Sequence, residues 1–135
     1  MKKTVIQPPD VAAPVAPYST AIRVHAAGSL LFVAGVVSSD VFGTLVNSGD
    51  ILGQTRQIIK NLTSIVHEAG GTPASVVKTT TYVASDAMKA FFATNAFREF
   101  LGAFNSPADT LVGVASLVGS EQGQLIEIDA IAVLE

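Results

Sequence analysis

Ser106-Pro107-Ala108-Asp109-Thr110-Leu111-Val112-Gly113-Val114-Ala115-Ser116-Leu117 and, shortly after it, Leu125-Ile126-Glu127-Ile128-Asp129-Ala130-Ile131-Ala132 decide the fold. Both stretches read as buried strands, yet each carries a carboxylate where a core strand is expected to carry none. An unpaired ion taken out of water costs several kcal/mol or changes its protonation state. Asp109 and Glu127 therefore need a partner or a task.

Working back toward the N-terminus, the helix before these strands runs from about Ala87 to Phe104, introduced by Ser85-Asp86. Its aromatic residues Phe91, Phe92, Phe97, Phe100 and Phe104 recur at helical spacing and read as core. Asn95 interrupts it as a polar residue expected to face solvent. Ser75 to Ala84 alternates and is rich in Val, Thr and Tyr, which favours a strand. Asp50 to Ala69 is the clearest helix: Ile51, Leu52, Thr55, Ile58, Ile59, Leu62, Ile65, Val66 and Ala69 form one apolar stripe. Asp50 suits its N-cap, and Gly70-Gly71 its C-terminal stop. His67 falls on the polar face.

The first third is less regular. Residues 7–17 hold four of the six prolines and read as an extended lead-in. Ala21 to Ala26 alternates, with Ile22, Val24 and Ala26 on one face and Arg23 and His25 on the other. A turn at Ala27-Gly28-Ser29 then leads into Leu30 to Gly35, and the two segments are expected to form a β-hairpin. Gly35 marks a bulge or strand end, or a place where a ligand approaches the backbone. The resulting order β-β-α-β-α-β-β, with no repeat or linker, indicates one α+β domain spanning 1–135, with two helices on one face of a mixed sheet.

Composition limits the chemistry. The chain has 135 residues, enough for one core, and no cysteine, so it has neither disulfides nor a thiolate nucleophile. Its two histidines, His25 and His67, lie in no metal-binding spacing, and no cofactor is implied. Net charge is −3 with no basic run, so nucleic acid is not an expected partner. Charged residues make up 14% of the chain against roughly 25% in ordinary domains, which suggests that part of the surface is covered by other subunits. The segment after Lys2-Lys3 lacks the apolar core of a signal peptide, and no stretch is long enough to span a bilayer. A cytoplasmic protein that does not enter the membrane is expected.

Several of these segments together resemble the Rid family of reactive-intermediate deaminases, the YjgF-like proteins. The resemblance runs through Ala16-Pro17-Tyr18-Ser19-Thr20-Ala21-Ile22, Leu31-Phe32-Val33-Ala34-Gly35, Gln54-Thr55 with Asn61-Leu62, and Ala69-Gly70-Gly71. It continues with Val76 to Val83, Asn95, Phe100, Ser106-Pro107-Ala108 and Ile126 to Ala132. It implies a chorismate-mutase-like fold and a homotrimer with clefts between subunits, in which a short-lived imine or enamine is hydrolysed to a carbonyl compound and ammonia. By the same resemblance Tyr18 lines the cleft, Gly35 and Asn95 help shape it, and Glu127 positions and activates water. Imine hydrolysis needs proton transfers from water and to nitrogen, which a carboxylate can perform in turn.

One position departs from that pattern. After the Pro-Ala pair the family carries an arginine that grips a substrate carboxylate, and here Asp109 stands in its place. A carboxylate substrate would meet a like charge there. Val36 after Gly35, where a polar residue is common, implies a more apolar pocket. A remodelled site in which Asp109 accepts hydrogen bonds from a small neutral or cationic substrate is the leading expectation. Asp109 and Glu127 would then share a cleft and divide acid and base roles between them. The alternatives are a non-catalytic binding trimer, or another hydrolytic or tautomerising reaction in the same cleft. Asp129 reads as a structural or rim acid.

Overall fold

The computed structural model describes residues 2–25 and 28–135, so the expected place of Ala26 on one face with Ile22 and Val24 and the turn at Ala27 lie outside the described residues. A four-stranded mixed sheet has the order β3-β6-β4-β5, formed by β3 (Ser29–Val36), β4 (Val76–Ala84), β5 (Ala108–Val114) and β6 (Ile126–Leu134). β6 runs antiparallel to both β3 and β4, and β4 and β5 are parallel. A parallel pair needs a crossover, and the helical segment between β4 and β5 supplies it. β5 is thus an edge strand, half-buried where its apolar sequence suggested full burial.

The expected hairpin does not form. β2 (Ala21–Val24) pairs instead with β1 (Lys3–Ile6), a strand that the sequence did not suggest, while β3 pairs with β6. The reason lies in the two strands' side chains. β3 turns Leu31, Val33 and Val36 toward the core beside the buried β6, whereas β2 has only Ile22 and Val24 half-buried and leaves Arg23 and His25 exposed. A short turn between two strands does not force them to pair when a better-matched neighbour exists.

α1 (Ile51–Glu68) forms where periodicity placed it. Asp50 accepts from the Gly53 amide at its N-terminus, and Gly70, at φ +90°, follows its end. The second helix is two: α2 (Met88–Ala93) and α3 (Ala96–Ala103), broken at Asn95, which is exposed and left-handed at φ 64°. The order is therefore β-β-β-α-β-α-α-β-β, with one more strand and one more helix than the sequence indicated. Ser85-Asp86 belongs to a short 3-10 turn, and no side chain caps α2.

Ile58, Leu62 and Val66 of α1, Phe91 of α2 and Phe97, Phe100 and Leu101 of α3 are buried, together with Phe104 just beyond it, against Val83, Ile126 and Ile128 of the sheet. Phe92 is the exception among the five phenylalanines of residues 87–104: it is 55% exposed, because it points off the buried stripe.

Candidate functional site

The sheet has two unlike faces, and they divide the candidate residues. Thr79, Thr81 and Val83 of β4 pair with Ala130, Ile128 and Ile126 of β6, and all six are buried under the helices. Thr80, Tyr82, Asp129 and Glu127 alternate with them and so lie on the opposite, open face. Asp109 stands opposite Thr79 across the parallel β4–β5 pair and therefore faces the helix side. Within one chain, Asp109 and Glu127 are on opposite faces of the sheet.

Asp109 is held by two hydroxyls. Thr79 Oγ1 and Thr81 Oγ1, two residues apart on β4, both donate to Oδ2, at 2.6 and 2.7 Å. Oδ1 is buried with no hydrogen-bond partner among the described residues. Burial pushes the carboxyl above the ordinary aspartate value, more than the Thr79 and Thr81 hydroxyls and the Lys78 charge pull it down, and Asp129 adds a smaller upward push. Within the chain, the acid that acts on Asp109 is thus Asp129.

Tyr18 comes to Asp109 through a fastened segment. The Ser19 amide donates to Pro107 O at 3.1 Å and Ser19 Oγ to Ser106 O at 2.6 Å, which lays residues 16–19 over the start of β5. Tyr18 and Asp109 then line one cavity of about 440 Å³ with Phe92, Phe97, Arg98 and Leu111. Aromatic walls with a few polar groups are the usual make-up of a small-molecule site. Asn95 lies in the α2–α3 break between two of those aromatics but is not itself part of the lining.

Glu127 and Gly35 form the second cluster. The β3–β6 register shifts between Val33 and Val36, so Gly35 sits in a bulge. The Glu127 carboxylate lies over it: a β-carbon on Gly35 would come 2.8 Å from Cδ. Glycine here is both bulge and close approach. Gln124 Nε2 donates to Glu127 Oε1 at 3.3 Å. Lys78, on the neighbouring strand, donates to Thr79 O and Thr110 Oγ1. The single ion pair between described side chains is Arg56–Glu99, joining α1 to α3.

Thr79, Thr81 and Gln124 were not singled out in the sequence. Two threonines on a Val-rich strand look like ordinary strand formers, and Gln124 sits among loop residues without periodicity. Among the described residues, no group of three or more histidine, aspartate or glutamate side chains is placed to hold a metal, and no helix is long and apolar enough to cross a membrane.

The Endoribonuclease L-PSP family model matches residues 9–134. A RutC family protein from Synechocystis is 36% identical over 136 residues, covering 99% of this chain and 98% of that one. The crystal structure of the Rid family protein YyfB from Yersinia pestis, whose function is unknown, superposes with a TM-score of 0.83 at 33% identity, covering 99% of this chain and 100% of that one. A 2-iminobutanoate/2-iminopropanoate deaminase from Dermatophagoides farinae is more distant, 27% identical over 141 residues, covering 98% of each chain. With its sequence matched almost end to end and its fold shared with Rid proteins, the chain belongs to the Endoribonuclease L-PSP family, that of the Rid and YjgF-like proteins.

Proposed function

We propose that the protein is an imine or enamine deaminase for a small neutral or cationic substrate, with Glu127 as the residue that activates water. The observation that carries this is the state of Glu127: a half-buried carboxylate over Gly35, bound by one side-chain amide and paired with no cation among the described residues. A carboxylate kept for structure alone would be expected to hold a cation or more donors. The deaminase among its relatives, named for 2-imino acids, supports the reaction class.

The reaction balances with water alone. Glu127 takes a proton from water as the water oxygen bonds to the C=N carbon and the π pair moves to nitrogen, and it passes that proton to nitrogen to give the carbinolamine. Glu127 then carries the hydroxyl proton to the same nitrogen. The carbonyl forms as the C–N bond breaks, and its electron pair leaves with ammonia. An enamine enters after protonation at carbon gives its imine.

Substrate choice rests on Asp109. A carboxylate where the family resemblance has arginine repels a 2-imino acid and accepts N–H donors. Tyr18 and Asp109 of one subunit would face Gly35 and Glu127 of the next in a homotrimer, since one chain keeps them on opposite sheet faces. Leu30 and Phe32 of β3, 56% and 71% exposed, are apolar surface that such an assembly would cover.

Ammonia release from a panel of imines and enamines, compared among wild type, Glu127→Gln and Asp109→Ala, tests this. We expect Glu127→Gln to abolish most turnover and Asp109→Ala to alter substrate preference; turnover untouched by both changes would refute the assigned site. Ligand-induced thermal shifts without product would instead indicate a non-catalytic binding trimer.

A further inference from the structure

We propose that Gln124 is a positioning residue for Glu127, an inference that rests on Glu127 being the water-activating group. Gln124 is 5% exposed, and its backbone amide and both polar atoms of its side chain are hydrogen-bonded. Its backbone amide donates to Gly119 O at 3.0 Å, and its side-chain Oε1 accepts from the Gly119 amide at 2.9 Å. A backbone N–H can only donate, so the atom facing Gly119 is the oxygen. The amide nitrogen must therefore face Glu127, and a flip of the side chain would break both contacts.

The neighbours on either side are held as well. Gln54, fully buried in α1, donates from Nε2 to Gly123 O at 2.7 Å and to Asn47 O at 2.9 Å, and its Oε1 accepts from the Leu125 amide at 2.9 Å. Residues 123 and 125 are thus tied to the helix, with Gln124 between them. Gly119 takes part by having no side chain, since a β-carbon there would meet Gln124 Cβ at 3.1 Å and press still closer on Oε1.

The consequence falls on Glu127. Oε1 is engaged by Gln124, while Oε2 lies over the open backbone of Gly35 and is left for a water or a substrate proton. A rigid donor on one oxygen selects a single rotamer of a side chain with three free torsions, and general-base catalysis is sensitive to such placement.

The test uses the full-length protein and the imine released in situ from a primary amine by a flavin-dependent amine oxidase. We expect Gln124→Leu to lower kcat between about tenfold and a hundredfold, with KM changed less than about twofold; the melting temperature should fall through the stranded Gly119 amide, so kcat is read well below it. Gly119→Ala, which displaces the Gln124 amide without touching Glu127, should reproduce the loss. A crystal structure of Gln124→Leu should show the Glu127 carboxylate rotated off Gly35, a readout that does not depend on turnover. Unchanged kcat in both variants, or a Glu127 rotamer identical to wild type, would overturn the proposal. Wild-type activity in a Glu127→Gln control would refute the functional reading itself, which separates the two failures.

Discussion

The Glu127 carboxylate rests on the backbone of Gly35, with Cδ and Cγ 2.8 and 3.1 Å from where a β-carbon would stand. Strand β3 reaches this geometry through a bulge, and glycine is the residue that leaves the space open. Gly35→Ala should push the carboxylate aside while the bulge persists. We expect activity to fall by about a hundredfold, with stability lower by less than about 1 kcal/mol in urea unfolding. Wild-type turnover in this variant would show that the contact has no catalytic role.

Asp109 gives the fold a pH dependence of unusual sign for a carboxylate. Its folded-state proton affinity is raised, chiefly by burial. Stability from this group is therefore fully present below the unfolded-state value of about 3.9, and is lost as pH rises through the folded-state value. The difference in urea midpoint between wild type and Asp109→Asn should accordingly move against wild type as pH rises from about 4 toward neutrality. A constant difference would contradict it.

Thr81 pulls Asp109 the other way, because its hydroxyl donates to Oδ2 at 2.7 Å and favours the ionised form. Thr81→Val should move the pH-dependent loss of stability to higher pH. It should also cost about 1 kcal/mol at neutral pH through the missing hydrogen bond. The same urea titration reads both effects, and a window that stays in place would exclude the Thr81 contribution.

Gln54 ties α1 to the loop before β6 through two hydrogen bonds, to Gly123 O and from the Leu125 amide, and to the segment before α1 through a third, to Asn47 O. Gln54→Leu keeps the volume but strands two carbonyls and an amide. We expect a loss of about 2–4 kcal/mol in unfolding free energy. A smaller loss would mean that water replaces the side chain.

Asn95 holds φ at 64° between α2 and α3, a region where a β-carbon is strained and asparagine is tolerated. Asn95→Gly should leave stability near wild type, while Asn95→Ala should lower it by about 1 kcal/mol. Equal melting temperatures for both variants would remove the conformational argument.

What the sequence made legible follows from the range of the interactions involved. α1 was readable because its apolar stripe and both of its ends are written within a few residues of one another. The break at Asn95 was visible as a polar interruption, but not as a change of chain direction, since only the left-handed φ reveals that. The pairing of β2 with β1 was missed because partner choice depends on side chains far apart in the chain. Asp109 and Glu127 stood out as acids on apolar strands. Their assignment to opposite faces required the β4 register, and so did the discovery that Thr79 and Thr81 hold Asp109. Gln124 carried no sequence signal, because its role depends on Gly119 and Gln54, one across a tight loop and the other on a distant helix.

The most direct measurement compares kcat/KM of the wild-type protein for two substrates: the imine of a simple primary amine, and 2-aminoacrylate, whose carboxylate would meet Asp109. We expect the amine-derived imine to be preferred by more than about tenfold, since a like charge in a desolvated cleft costs more than the roughly 1.4 kcal/mol that a factor of ten represents. A preference for 2-aminoacrylate would contradict the assignment of Asp109 as the residue that sets substrate charge.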